Sequence, residues 1–270
     1  MPATYLFGKN SVLSLLEVCP ERVQKLFFAE GTKPDRRLQR IKELVNEQGV
    51  HSQVVPKAKL DTLLQHHLND LANDPLPSEE HPQELVHQGV VALVSEQPLW
   101  ELGAWLRTLP TPLKPCWVLA LDNVTDPHNI GAMLRVAEGA GCLGVLLPKH
   151  RTGGISPVVS KVAAGADALL PLIQVTNLAT ALDQLKKAGF WTVGTVCANT
   201  PKVQPYTRLA FDMPTVLVMG NEGDGLRPSI QKQCDFLTTI PMRGKVQSLN
   251  VSTATAVLAF HMATAFDALR

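Results

Sequence analysis

Long apolar runs, paired cysteines and a surplus of either charge are all missing from this chain of 270 residues. No segment approaches the ~20 uncharged apolar residues that a membrane span requires, and Met1 to Lys9 lacks the apolar core of a secretory signal. The expectation is a soluble cytoplasmic protein with no membrane partner. Five cysteines (Cys19, Cys116, Cys142, Cys197 and Cys234) stand far apart without a C-x-x-C pair. That argues against a zinc knuckle or a disulfide framework and fits a reducing cytosol, with no metal expected. Lys and Arg number 25 against 24 Asp and Glu, which excludes a uniformly basic nucleic-acid binder; any RNA contact has to come from a local patch. A hydrolase elbow, G-x-S-x-G, is absent as well.

What is present is enough apolar material, 45% of residues, for two proper cores. The first ninety-odd residues predict a small α/β unit: helix Ser11–Glu17, strand Val23–Ala29, helix Pro34–Glu47, strand Val50–Val55 and a helix opened by Pro56, proline being tolerated in a first turn. A polar, proline-punctuated loop spans Asn69–Gln88, and Gly89–Val94 reads as a buried strand. Pro98, Pro110, Pro112 and Pro115 surround a short amphipathic segment with Trp100, Leu102, Trp105 and Leu106. This marks 96–115 as a linker between domains at 1–95 and 116–270. The second domain carries strands at Trp117–Leu121, Leu143–Leu147, Leu170–Val175, Phe190–Val196, Thr215–Met219 and Phe236–Ile240. Helices are expected at Asn129–Gly141, Pro157–Ala164, Leu178–Ala188, Leu226–Cys234 and from Asn250 onward. Such alternation predicts a largely parallel sheet covered on both faces.

Three polar, glycine-adjacent clusters punctuate that second domain, each after an apolar run and before a helical pattern. In α/β folds ligands gather there, because strand ends meet helix N-termini with free N–H groups. The first is Asn129-Ile-Gly131-Ala-Met-Leu-Arg135. Asn129 sits where an N-cap belongs, and Arg135 lies six residues on, about 9 Å along a helix, from where its guanidinium could grip a phosphate or carboxylate. A cap and a solvated arginine account for the same pattern. The second, Gly220-Asn-Glu222-Gly-Asp-Gly225, lets backbone approach a ligand closely. Its order is G-x-x-G-x-G, not the dinucleotide order, and no ribose-binding acid follows ~20 residues on, which disfavours a nicotinamide enzyme. The third, Ser248-Leu249-Asn250-Val-Ser252, opens the last helix with Asn250 or Ser252 as cap. Ser248 has no evident His–Asp partner, so its hydroxyl reads as a hydrogen-bond group and not a nucleophile.

These three motifs, in this order, resemble those of the SpoU/TrmH family of RNA ribose 2′-O-methyltransferases, within the SPOUT superfamily. Asp122–Asn129, Lys161–Gly165 and Val175–Leu178 add to the likeness, which spans Trp117 to the C-terminus. The resemblance implies an α/β domain with a parallel sheet whose C-terminal part is tied in a deep trefoil knot, a rare exception to un-knotted topology. It implies S-adenosylmethionine as cofactor, held by Gly220, Ile240 and Leu249 with Thr195 and Met219 lining the pocket. Asn129, Arg135, Glu222, Ser248 and Asn250 match the polar catalytic positions, and a homodimer is expected. Arg135 matches a residue proposed as base; a guanidinium is always protonated, so holding a phosphate or a developing alkoxide is physically easier. The N-terminal unit resembles the small α/β substrate-binding domain of ribosomal RNA members of the family, through Phe7–Val12 and His87–Val90. Lys33, Arg36, Arg37 and Arg40 fall on one helical stripe opposite Leu38, Ile41, Leu44 and Val45, a pattern suited to tracking RNA phosphates and equally to an ordinary solvated face. The activity implied is methylation of a guanosine ribose in large-subunit ribosomal RNA. A transfer-RNA enzyme and a non-catalytic RNA-binding or ribosome-assembly factor on the same fold are the alternatives.

Overall fold

A computed structural model describes residues 3–71, 87–95, 98–149, 155–197 and 202–269. In chain order the elements are β1 (Ala3–Phe7), α1 (Lys9–Val18), β2 (Val23–Ala29), α2 (Arg36–Glu47), β3 (Ser52–Val55), α3 (Lys57–Leu71) and β4 (Val90–Ser95). Next come β5 (Trp100–Glu101), α4 (Leu102–Leu106), β6 (Trp117–Asp122), α5 (Pro127–Gly139), β7 (Val145–Pro148), α6 (Pro157–Ala163), α7 (Ala166–Leu169), β8 (Leu172–Val175) and α8 (Leu178–Lys187). The rest are β9 (Trp191–Thr195), β10 (Val203–Pro205), β11 (Thr215–Gly220), α9 (Pro228–Gln233), β12 (Phe236–Thr239) and α10 (Val251–Asp267). Most of the expected loop at Asn69–Gln88 lies outside the described residues. Among the described residues no helix is long and apolar enough to cross a membrane.

Two compact units result, Met1–Gln97 with Ser156–Leu169, and Pro98–Ile155 with Leu170–Arg270. In the first, a four-stranded sheet runs β1-β4-β2-β3. It is antiparallel except for β2 with β3, which pair in parallel. One face carries α1 and α2 over Leu6, Leu26, Phe28, Val90 and Ala92. Leu60 and Leu64 of α3 cover Phe7, Phe27, Val55 and Val91 on the other. Residues 156–169 complete this unit: Ala168 joins the α1/α2 core, and the Ser160 hydroxyl donates to buried Asp167 at 2.6 Å. Burial pushes the Asp167 carboxyl above its usual range, with the Ser160 bond opposing.

The second unit is an eight-stranded sheet, β10-β12-β9-β11-β6-β7-β8-β5, in which every neighbouring pair is parallel. Its central strands β6 and β11 are buried at all positions, as continuous apolar runs in a doubly covered sheet should be. Pairing Val118 with Val216 and Ala120 with Val218 puts these four on one face, under α4, α8 and α9. Leu119, Leu217, Leu121 and Met219 face the other way, the side packed by α5 and α10. From Pro98 on, the stretch expected as a linker belongs to this unit: β5 pairs with β8, and Leu102 and Trp105 are buried in its core. The prolines there set turns between ordered pieces and leave the apolar face of α4 free to pack. Trp105→Ala should therefore lower the stability of the second unit by ~3–5 kcal/mol, read as a shift in its urea midpoint; a loss below ~1 kcal/mol would place the tryptophan outside the core.

Candidate active site

All eight strands are parallel, so their carboxyl ends share one edge. Strand order reverses beside β6: β7 and β8 follow on one side, while β11, β9 and β12 lie on the other. Such a reversal opens a crevice at the carboxyl ends, since the connections on either side diverge. The loops after β6 and β11 flank it, leaving the sheet from directly opposed residues, Asp122 and Gly220.

Asn129, only 8% exposed, is the centre of what these loops build. It is not the N-cap of α5. Asp126 takes that position, accepting from the His128 N–H at 3.0 Å, because Pro127 fills the first helical position where a missing N–H is harmless. Asn129 then points from the first turn into the crevice. Its side chain joins two remote loops: the Asn250 amide donates to its Oδ1 at 2.9 Å, and its own Nδ2 donates to Glu222. The direction of this chain is fixed at the far end. Asn250 Oδ1 accepts from the Ser252 N–H at 2.8 Å and the Ser252 hydroxyl at 2.6 Å, so Asn250, and not Ser252, caps α10. A backbone N–H only donates, which orients the Asn250 amide, which in turn orients Asn129 with its NH₂ toward Glu222. The last acceptor is a carboxylate, giving a charge-assisted bond.

The glycine loop presenting Glu222 is folded on itself. Asn221 Oδ1 accepts from the N–H groups of Gly223, Asp224 and Gly225 at 3.1, 2.7 and 3.1 Å. Gly225 has φ of 65°, in the left-handed region that glycine tolerates. A Cβ on Gly220 would lie 2.1 Å from the Gly225 carbonyl carbon and 2.3 Å from Leu226 N. The chain thus returns directly over the strand end, which only glycine permits. At the base of the loop the Arg227 N–H donates to Asp122 Oδ2 at 2.9 Å and its Nε to Oδ1 at 2.7 Å, with Nη2 in ion-pair contact with Oδ1 at 2.6 Å. Asp122 is fully buried. Sequence reasoning assigned no role to Asn221, Asp122 or Arg227; Asp122 opens the familiar Asp122–Asn129 phrase, but no spacing rule connects it to a partner 105 positions away.

The remaining expected residues divide into two sets. Thr195, Met219 and Gly220 end the adjacent strands β9 and β11, with the Thr195 hydroxyl donating to Met219 Sδ at 3.1 Å. Ile240 follows β12, the neighbour of β9 on the other side. Leu249 is partly exposed at 37%, just before Asn250. Arg135 lies exposed on α5 and Ser248 exposed before α10, and no hydrogen bond joins either to the Asn250–Asn129–Glu222 chain among the described residues. Burial pushes the thiols of Cys116, Cys142 and Cys234 up to about 11, 12 and 12, so none of these three supplies a thiolate near neutral pH. A G-x-G-x-x-G run does occur, at Gly139–Gly144, but it ends α5 and leads into β7, the reverse of the strand-to-helix setting that cradles a pyrophosphate.

In the first unit the basic stripe is shorter than expected. Asp35 caps α2, accepting from the Leu38 N–H at 2.8 Å, and the helix starts at Arg36. Pro34 biases Lys33 toward extended backbone, so Lys33 precedes the helix. Arg36, Arg37 and Arg40 are exposed on α2, with Leu38, Ile41, Leu44 and Val45 buried opposite. Arg40 is shared with Glu43 and Glu47 at 3.4 and 3.5 Å.

Residues 117–260 match the model of the SpoU rRNA methylase family. The chain belongs to that family. Residues 5–70 match a second model, RNA 2′-O ribose methyltransferase substrate binding. Among relatives, the 23S rRNA (guanosine-2′-O-)-methyltransferase RlmB of Pseudomonas aeruginosa is 40% identical over 257 residues, 95% of this chain and 94% of its own length. The enzyme of the same name from Pseudomonas syringae pv. tomato is 38% identical over 255 residues, 94% and 93% of the two chains. A similar fold is seen in the SpoU methyltransferase AviRb from Streptomyces viridochromogenes, solved in complex with AdoMet. The TM-score is 0.71 at 21% identity, with 97% of this chain and 90% of that one covered. Backbone polar groups beside apolar side chains suit a sulfonium ligand that also carries an adenine ring and polar edges. Gly220 and Ile240 lie at the ends of the strands on either side of β9, with backbone N–H and C=O groups next to the apolar side chain of Met219. Gly220→Ala should displace the family's glycine loop, speeding amide hydrogen exchange across 221–227 by at least about tenfold, a local loss of ~1.4 kcal/mol; unchanged exchange would contradict the close contact.

Proposed function

We propose that this protein transfers a methyl group from S-adenosylmethionine to the ribose 2′-hydroxyl of a guanosine in large-subunit ribosomal RNA. One observation carries the reading: the loops after β6 and β11 and the segment before α10 are joined by the Asn250–Asn129–Glu222 chain at the sheet's reversal point. These are the three motifs of the family, remote in sequence and meeting at one place. The names of the two full-length relatives supply the guanosine and the 23S-type RNA.

When bound, S-adenosylmethionine supplies a methyl already activated on a sulfonium; Gly220, Ile240 and Leu249 would hold it, with Thr195 and Met219 at its side. What remains for the protein is alignment and the hydroxyl proton. A guanidinium is a poor base, so the role of Arg135 is to grip a substrate phosphate and stabilise the forming alkoxide. Asn129, locked by two partners, presents a fixed dipole beside the ribose, and Ser248 adds a hydroxyl to the same rim. RNA is favoured at this edge by the balance of its exposed charges, in which Asp224 and the Asn129-bound Glu222 are outnumbered by four basic side chains. Asp122 is tied to Arg227, Asp126 to the start of α5 and Glu222 to Asn129. Arg135, Lys149, Arg243 and Lys245 are exposed, ready to meet a phosphate backbone.

The threaded carboxyl terminus belongs to the same reading. Residues 240–250 run from the end of β12 to Asn129 beside β6, which takes them along the edge past β9 and β11. A homodimer in the cytoplasm completes it, consistent with Phe260 of α10 lying over half exposed next to Gly139 of α5. The decisive experiment maps ribose methylations in cellular RNA with and without the protein, where one lost mark names the substrate and an unchanged map refutes the activity.

Two variants separate the parts. Arg135→Ala should slow methyl transfer ~10²–10³-fold while labelled cofactor binds as before; full turnover would remove Arg135 from the chemistry. Arg36→Glu with Arg37→Glu should weaken RNA binding and flatten its salt dependence by ~0.7–0.9 in log–log slope for each phosphate no longer neutralised. An unaltered slope would leave α2 with an ordinary solvated face.

A further inference from the structure

We infer that Asp122 and Arg227 form a positioning pair for methyl transfer: together they set the reach of the glycine loop so that Glu222 meets Asn129. The inference rests on the active-site reading above. Asp122 has no exposed surface, so it touches neither RNA nor cofactor and acts only through its neighbours. Three features of its surroundings give it that role. It is the last residue of β6 and lies in register with Gly220, the last residue of β11. The glycine loop therefore departs beside Asp122 at Gly220 and returns to it at Arg227, whose backbone N–H and Nε donate to its two oxygens while Nη2 lies in ion-pair contact. The same residue leads through 123–126 into α5, which carries Asn129. One buried carboxylate is thus the common pivot of both loops.

The loop has little slack to absorb an error at its base. Asn221 gathers three of its N–H groups, and Gly225 already presses on Gly220 at a distance that no Cβ would tolerate. A shift of Arg227 is then passed to Glu222 and not taken up between them. The arginine fork matters as much as its charge: Nε and Nη2 both reach Oδ1, a geometry that a lysine ammonium does not reproduce.

The test is a double-mutant cycle in the single-turnover rate of methyl transfer, with Arg227→Lys and Glu222→Ala. Arg227→Lys should lower that rate about tenfold or more, leaving KM for RNA and cofactor affinity within about twofold. If the pair works through Glu222, the double variant is no slower than Glu222→Ala alone. Rates that multiply, or Arg227→Lys at wild-type rate, overturn the inference while the active-site reading stands. Glu222→Ala at wild-type rate removes the residue through which the pair acts, and sinks that reading first. A purely structural pair would lower the melting temperature and scale all parameters together, without coupling to Glu222. Should Arg227→Lys fold poorly, Asp122→Asn takes its place in the cycle, and the same two outcomes support or overturn the pair.

Discussion

The direction of one hydrogen-bond chain governs the site. A backbone N–H at Ser252 is incapable of accepting, and that fact propagates through two amides to a carboxylate on another loop. Were the buried Asn129 amide reversed, two donors and two acceptors would face each other across its bonds, at a cost of ~1–3 kcal/mol for each group left unsatisfied away from water. The chain therefore does more than tie three loops together. It selects a single arrangement of them, using two neutral amides that end on the exposed carboxylate of Glu222.

That arrangement is possible only because the sheet is parallel throughout the second unit. A parallel sheet sends every strand toward the same edge, and the reversal of strand order beside β6 spreads the connections apart there. Motifs separated by about a hundred residues are then neighbours by topology, before any side chain contributes. The side chains refine this into a fixed geometry, with Asp122 below and Asn129 above as two successive cross-ties between the same pair of loops.

Legibility from sequence followed the physics of each element. Val23–Ala29, apolar but for Gln24 and Lys25, reads as a strand with the bounds it adopts, and β6 and β11 differ by a residue, because short apolar runs flanked by turn residues leave few alternatives. The unforeseen pieces, β1, β5, β10 and α7, have two to five residues each, too short for periodicity to register. Pro34 and Pro127 misled in opposite ways. Pro127 opens α5 ahead of Asn129, whereas Pro34 stands outside α2, since the side chain of Asp35 captures the first free N–H groups. For the site, residue types and order were readable and the pairings were not. Nothing in Asn129 alone says whether it caps a helix or bridges two loops, and that choice was made by a proline two positions earlier. Asp122 and Arg227 were invisible for the same reason, since a tertiary ion pair leaves no periodic trace.

Net charge was a poor guide to the surface that matters. The chain is nearly neutral overall, yet its acids and bases are spent differently at the carboxyl edge. Asp122, Asp126 and Glu222 are occupied by internal donors, while Arg135, Lys149, Arg243 and Lys245 remain exposed. Carboxylates accept from backbone N–H groups and so become structural at strand ends and helix starts, where such groups are in excess. Apart from Arg227, held by Asp122, the lysines and arginines named here stay outward. An active edge built at strand termini and helix N-termini thus tends to show a positive face whatever the composition of the whole chain, which suits a polyanionic substrate without any need for a basic protein.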